Sequence, residues 1–102
     1  MVEADFFYEL SAEADNDLEE IFDYTDHEFG IDQAIKYLSA FDDTFEQLLK
    51  NPQIGRERKE IRDGLRSTIK DMHVVFYRIL EDRIRIVRIL HGSRDLPKFI
   101  SN

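Results

Sequence analysis

Leu65-Arg66-Ser67-Thr68-Ile69, Val74-Val75-Phe76-Tyr77-Arg78-Ile79-Leu80 and Arg83-Ile84-Arg85-Ile86-Val87-Arg88-Ile89-Leu90 follow one another almost without interruption. All three runs are rich in β-branched and aromatic residues, the side chains that fit a pleated, half-buried surface. The breaks between them are short and polar: Asp71-Met72 lies in the first and Glu81-Asp82 forms the second. Connections this tight leave no room for a crossover, so the runs must turn back on themselves as an antiparallel meander. Such a sheet needs cover on one face, and the residues before 60 are best read as supplying it.

Moving upstream, Ala34, Leu38, Phe41, Phe45 and Leu48 form a helical stripe, broadened by Ile35, Tyr37 and Leu49. The stripe predicts a helix that starts at or near Asp32 and ends at Asn51-Pro52. Before it, Ala14, Leu18, Ile21, Phe22, Thr25 and Phe29 share one face of an earlier helix. Ser11 suits its N-cap, Glu13, Asp15 and Asp17 suit its positive end, and Gly30 stops it. So short a joint forces a helical hairpin. Phe22, Phe29, Phe41 and Phe45 are then expected in the core beneath the sheet. Phe6 to Leu10 reads as a first strand. The order β-α-α-β-β-β describes a two-layer α+β domain over residues 1–102, with the helical hairpin packed on one face of an antiparallel sheet of about four strands.

The net charge of -8 conceals a split. Residues 1–50 hold 15 acidic and 2 basic side chains, whereas residues 51–102 hold 7 acidic and 12 basic. The overall sign disfavours sequence-blind nucleic-acid binding, which depends on neutralising phosphates. A polarised molecule that meets its partner through the basic half fits better. That half includes an irregular segment, residues 51–64, carrying Arg56, Arg58, Lys59 and Arg62. A loop of this length is functional, or else a linker whose arginines pair with the acidic hairpin. Arg66, Arg78 and Arg88 lie inside strands, where they either pair with acidic neighbours or cover the sheet.

There is no cysteine, as in proteins of a reducing compartment. The acidic start, Met1-Val2-Glu3-Ala4-Asp5, lacks a basic leader, and no apolar run approaches the ~20 residues of a membrane span. A soluble cytoplasmic protein with no membrane contact is expected. His27, His73 and His91 are far apart and in no metal-ligand spacing, so neither metal nor cofactor is expected.

Four stretches, taken in order, resemble one family. They are Leu10-Ser11-Ala12-Glu13-Ala14-Asp15-Asn16-Asp17-Leu18-Glu19-Glu20-Ile21; Phe29-Gly30 with Gln33-Ala34 and Tyr37-Leu38; Asn51-Pro52 through Ile54-Gly55-Arg56, with Glu60-Ile61-Arg62 and Gly64-Leu65-Arg66-Ser67; and His73-Val74-Val75-Phe76-Tyr77-Arg78 with Arg85-Ile86-Val87-Arg88-Ile89-Leu90-His91-Gly92-Ser93-Arg94-Asp95. Together they are similar to the ParE toxins of bacterial type II toxin–antitoxin modules, within the ParE/RelE superfamily. The resemblance implies a RelE/ParE-like fold and a protein that poisons DNA gyrase, blocking replication. It also implies a ParD-like antitoxin that binds the toxin in a hetero-oligomer and itself carries the operator-binding half. It implies no enzymatic activity, no cofactor and no sequence-specific nucleic-acid binding by this chain alone.

With the charge pattern, the resemblance places target contacts at Arg56, Arg58, Arg62, Arg66, Arg78, Arg88, His91 and Arg94. It places an antitoxin groove between hairpin and sheet at Leu18, Phe22, Tyr37, Phe41 and Tyr77. The rival within the superfamily is a RelE-like ribosome-dependent mRNA endonuclease. Its chemistry needs a proton acceptor, a proton donor and cations around one phosphate. Arg62, Arg66, Arg78 and Arg88 would supply charge, and His73, Tyr77 or His91 would move protons. Against it, the C-terminal tail has no tyrosine, Tyr77 being the last. A third possibility is a non-toxic remnant that only binds an antitoxin.

Overall fold

Ser11 marks the point at which strand becomes helix. In the computed structural model, which describes residues 6–93, its Oγ accepts the Ala14 N–H at 2.9 Å and caps the helix α1, Ala12–Phe29. The same hydroxyl donates to the Val87 carbonyl at 2.8 Å, and the Ser11 N–H bonds the Ile86 carbonyl at 2.9 Å. One residue therefore caps α1 and ties it to the last strand. Gly30, at a φ of 97°, joins α1 directly to α2, Ile31–Lys50. A positive φ of this kind is natural only to glycine, which explains how two helices of this length meet without a loop.

The sheet contains β1 (Phe7–Leu10), β2 (Arg56–Glu57), β3 (Leu65–Lys70), β4 (His73–Ile79) and β5 (Arg83–His91), in the order β1-β5-β4-β3-β2. The meander β3-β4-β5 is antiparallel as expected. Two details differ from the expectation of an antiparallel sheet of about four strands. The sheet has five strands, because two residues of the segment read as irregular pair with β3. It is also mixed, because β1 runs parallel to β5, with Leu10 opposite Ile86. The hairpin separates β1 from the meander, and a connection that long permits parallel pairing.

The hairpin covers one sheet face. Ala14, Phe41, Phe45 and Leu48 pack there against Val75, Tyr77, Ile84, Ile86 and Ile89. Between Phe76 and Tyr77 the register shifts: Tyr77 faces Ile86 and Phe76 faces Arg88, so Val87 is an extra residue. The bulge switches the parity of β5. Ile84 and Ile86 before it and Ile89 after it all reach the same core. The alternating residues of the meander build a second cluster of Leu65, Phe76 and Leu90, packed with Ile61, Val74 and Val87.

Phe41 and Phe45 are buried as the stripe requires. Phe22 is half-buried, and Phe29 departs from the expectation, being 69% exposed. Ile31 and Ile35 are exposed as well. These residues lie at and around the hairpin joint, where the helices project past the cover that the sheet provides. Helical periodicity continues there after the core has ended.

Residues 51–64 are held from within. A 3-10 turn at Pro52–Ile54 leads into β2. The fully buried Tyr77 donates its hydroxyl to the Pro52 carbonyl at 2.6 Å and accepts the Gly55 N–H at 2.9 Å. A Cβ on Gly55 would lie 2.5 Å from the Tyr77 hydroxyl and 2.6 Å from the Ser67 carbonyl, so no other residue fits.

Candidate functional site

The expected contact residues divide between two ends of the sheet. The first is a basic corner where β2, β3 and β4 meet. Arg66 donates to the Gly55 carbonyl from Nε and Nη2, at 3.1 and 2.7 Å, and to the Gln53 carbonyl at 3.1 Å. Arg58 bonds Glu60 at 2.7 Å and Ser67 at 3.1 Å, and its guanidinium lies over the Phe76 ring, 5.5 Å from the centroid. Arg78 donates to the Asp63 carbonyl at 3.2 Å. The Arg62 N–H bonds the Arg58 carbonyl within the same turn. Here the arginines pair with carboxylates of their own segment, Glu57 and Glu60, instead of the acidic hairpin. Glu60 is held below the usual carboxylate range, chiefly by its hydrogen bond from Arg58. Arg56 and Lys59, with side chains 72% and 74% exposed, stand at the outer rim.

The second region is a groove of about 950 Å³ between the hairpin joint and the far end of β4 and β5. Ile21, Tyr37, Ile89 and Leu90 line it, together with Tyr24, Phe29 and Met72, which are largely exposed. Of the five residues expected in an antitoxin groove, only Tyr37 lines this one. Phe41 and Tyr77 are fully buried and offer no surface, because each fills the core beneath the hairpin. Leu18 packs against the same core, and Phe22 lies outside the lining. The sequence reading missed Ile21, Tyr24 and Met72 here. The available signal was that Tyr24 interrupts the polar face of α1.

Arg88 and His91, expected among the target contacts, belong to this groove. His73 and Arg78 are five residues apart on β4, roughly 17 Å at ~3.4 Å per residue. Arg94 lies outside the described residues. Arg88 makes a two-point pair with Asp17, Nε to Oδ2 at 2.9 Å and Nη2 to Oδ1 at 3.0 Å. Asp17 is itself buried and also accepts the Ile89 N–H at 2.9 Å. The hydrogen bonds it donates to Asp17 raise Arg88 above its ordinary value.

At the groove's inner end, the Tyr37 hydroxyl lies 2.8 Å from His73 Nδ1. The His73 and His91 rings meet edge to face, 5.4 Å between centroids. Burial, then the neighbouring His91, pushes His73 below the ordinary imidazole range. Burial raises Tyr37. Ser93 donates its N–H to His91 Nδ1 at 3.1 Å, which leaves that nitrogen an acceptor. Among the described residues, no group of three or more His, Cys, Asp or Glu is placed to hold a metal ion. No helix among them is long and apolar enough to cross a membrane.

Comparison with known proteins agrees with this architecture. Toxin ParE1 of Mycobacterium tuberculosis is 40% identical over 92 residues, covering 89% of this chain and 94% of that protein. Toxin ParE1 of Caulobacter vibrioides is 36% identical over 86 residues, covering 84% and 88%. A chain from the chromosomal ParDE toxin–antitoxin system of P. aeruginosa superposes with a TM-score of 0.73 at 20% identity, covering 86% of this chain and 96% of that one, which supports the fold. Residues 8–96 match the family described as the ParE toxin of type II toxin-antitoxin systems. With that match spanning both the hairpin and the whole meander, the chain belongs to the ParE toxin family.

Proposed function

We propose that this chain arrests growth by binding DNA gyrase and trapping it on cleaved DNA, and that a ParD-like antitoxin neutralises it by occupying the groove at the hairpin joint. Family membership supports the reading, and the use of the cations carries it. Arg58, Arg66, Arg78 and Arg88 are each tied to a carboxylate, hydroxyl or carbonyl of their own chain. The sheet face carrying Phe76 is filled by Leu65, Phe76 and Leu90. RNA cleavage needs cations and proton carriers gathered on one phosphate. Binding a protein target asks only for a shaped, pre-organised surface. Arg56 and Lys59 stand on such a surface, fixed from beneath by Tyr77 and Arg66.

One observation favours a second reading. Tyr37, His73 and His91 bring three proton-carrying groups together in the groove, as a RelE-like mRNA endonuclease would require. The guanidinium of that groove, on Arg88, is already engaged by Asp17.

The purified protein is added to supercoiled plasmid with gyrase and ATP, and in parallel to translating ribosomes with a defined mRNA. Gyrase-dependent linear plasmid with intact mRNA is expected, and the double substitution Arg56→Glu, Lys59→Glu should weaken it. Cleaved mRNA with unaffected gyrase would replace this reading by the endonuclease. A folded protein inert in both reactions would point to a remnant that only binds antitoxin.

A further inference from the structure

Two histidines far apart in the sequence meet at one end of the sheet. The bulge in β5 sets the register so that His73, the first residue of β4, lies directly opposite His91, the last of β5. Residues placed this way carry their Cβ atoms ~4.5–5.5 Å apart on one face. The two rings stand 5.4 Å apart between centroids, with their planes at 82°. Motifs of metal-binding histidines are read from close spacing within one element, so this pair has no signature in the sequence.

The separation is that of two imidazoles sharing an ion. A metal ~2.1 Å from one nitrogen of each ring, at a tetrahedral angle, puts the centroids about 5.3 Å apart. The other nitrogen of each ring is already held. His73 Nδ1 lies 2.8 Å from the Tyr37 hydroxyl, and His91 Nδ1 lies 2.8 Å from the Ser93 hydroxyl. A hydroxyl oxygen accepts as readily as it donates. With a metal on Nε2, each Nδ1 carries the proton and donates it to its hydroxyl, as outer partners do for metal-bound histidines. The Ser93 N–H gives up its 3.1 Å bond to His91 and, at an exposed site, turns to water.

Both rings are only partly buried and line the groove, so an ion has access to them. The Tyr37 and Phe41 rings flank His73 at 5.7 and 5.8 Å and fix it in place before an ion arrives. The neighbouring charges largely cancel, Asp17 against Arg88 and Asp71 against Lys70, so the attraction rests on the imidazoles. Imidazole suits zinc, nickel and copper, whereas magnesium and calcium prefer oxygen. Water fills the remaining positions, since among the described residues no third His, Cys, Asp or Glu is placed to complete a metal site.

We propose that His73 and His91 form a two-histidine site for a divalent transition-metal ion, Zn²⁺, Ni²⁺ or Cu²⁺, bound through Nε2 of each ring. The ion ties the start of β4 to the end of β5 and sets positive charge at the inner end of the groove. The assignment stands apart from the toxin reading.

The test uses the untagged full chain, freed of metal by a chelator, and simple metal salts. Titration calorimetry should give one ion per chain, with Cu²⁺ tighter than Ni²⁺, Ni²⁺ tighter than Co²⁺, and no heat from Mg²⁺. Zn²⁺ should move the imidazole NMR signals of His73 and His91 and leave those of His27 in place. It should raise the Tm of the parent protein but not of His91→Gln. His91→Gln, checked for a native spectrum, should abolish binding, and His27→Gln should leave it unchanged. Tyr37→Phe removes an outer partner and should weaken binding about tenfold. Binding that survives His91→Gln would overturn the assignment. So would signals moving at His27 instead, one ion shared by two chains, or no heat from any of these ions.

Discussion

Replacing Tyr77 by phenylalanine removes one oxygen from the centre of the fold and leaves the ring in place, so no cavity forms. Two contacts end at once: donation to the Pro52 carbonyl at 2.6 Å and acceptance from the buried Gly55 N–H at 2.9 Å. A hydrogen bond contributes about 1 kcal/mol net, and a buried donor left without a partner costs about 1–3 kcal/mol. The Pro52 carbonyl is only partly buried and turns to water, so the Gly55 N–H dominates. The expected cost is about 2–3 kcal/mol. For a domain of this size that lowers Tm by roughly 8–24 °C, at ~4–8 °C per kcal/mol. Urea denaturation gives the global figure, and amide exchange across residues 51–64 shows whether the loop opens first. The Gly55 amide should exchange much faster than in the parent protein. A cost under about 0.5 kcal/mol, with Gly55 as protected as before, would refute the view that Tyr77 holds the basic loop.

Three other perturbations separate the remaining ideas. Asp17→Ala removes the two-point partner of the Arg88 guanidinium and the acceptor of the Ile89 N–H, and should cost about 3–5 kcal/mol in urea denaturation; a loss near zero would mean that the pair is dispensable. Phe45→Ala should cost about 3–5 kcal/mol, whereas Phe29→Ala, at an exposed site, should stay within about 0.5 kcal/mol. Equal costs would contradict the placement of the hairpin joint. For pH, His73 is held below its unfolded value of ~6.5, so the unfolded chain binds more protons between the two values. Stability should be full above ~6.5 and fall as pH drops below it. His73→Gln should flatten urea midpoints measured between pH 7.5 and 5.5, and an unchanged slope would show that His73 is not the group responsible.

The family and the layer arrangement were legible in the sequence because both rest on local patterns. Two stripes at helical spacing, one glycine and three β-rich runs with short breaks suffice for a hairpin over a meander. Ser11 was readable as a cap, since capping is decided within one turn. Its second bond, to Val87 across 76 positions, was not. The basic segment is irregular in sequence because nothing local organises it. Its partners are Tyr77 and Arg66, supplied by strands that follow later in the chain.

Periodicity and turn chemistry act over a few residues, and they suffice to set the elements and their hydrophobic faces. Which residues meet depends on packing between elements far apart in the chain. Pairing β4 and β5 without a shift about the Glu81-Asp82 turn would continue Tyr77↔Ile86 to His73↔Leu90. The Val87 bulge moves the register by one, so His73 faces His91 and Ile89 instead of Arg88 faces Val75. Arg88 leaves the pattern of the basic loop and reaches Asp17, and Phe29 keeps its helical place but has no sheet beneath it. Each outcome depends on where one element ends against another, a long-range balance of packing and hydrogen bonding that no local stretch encodes.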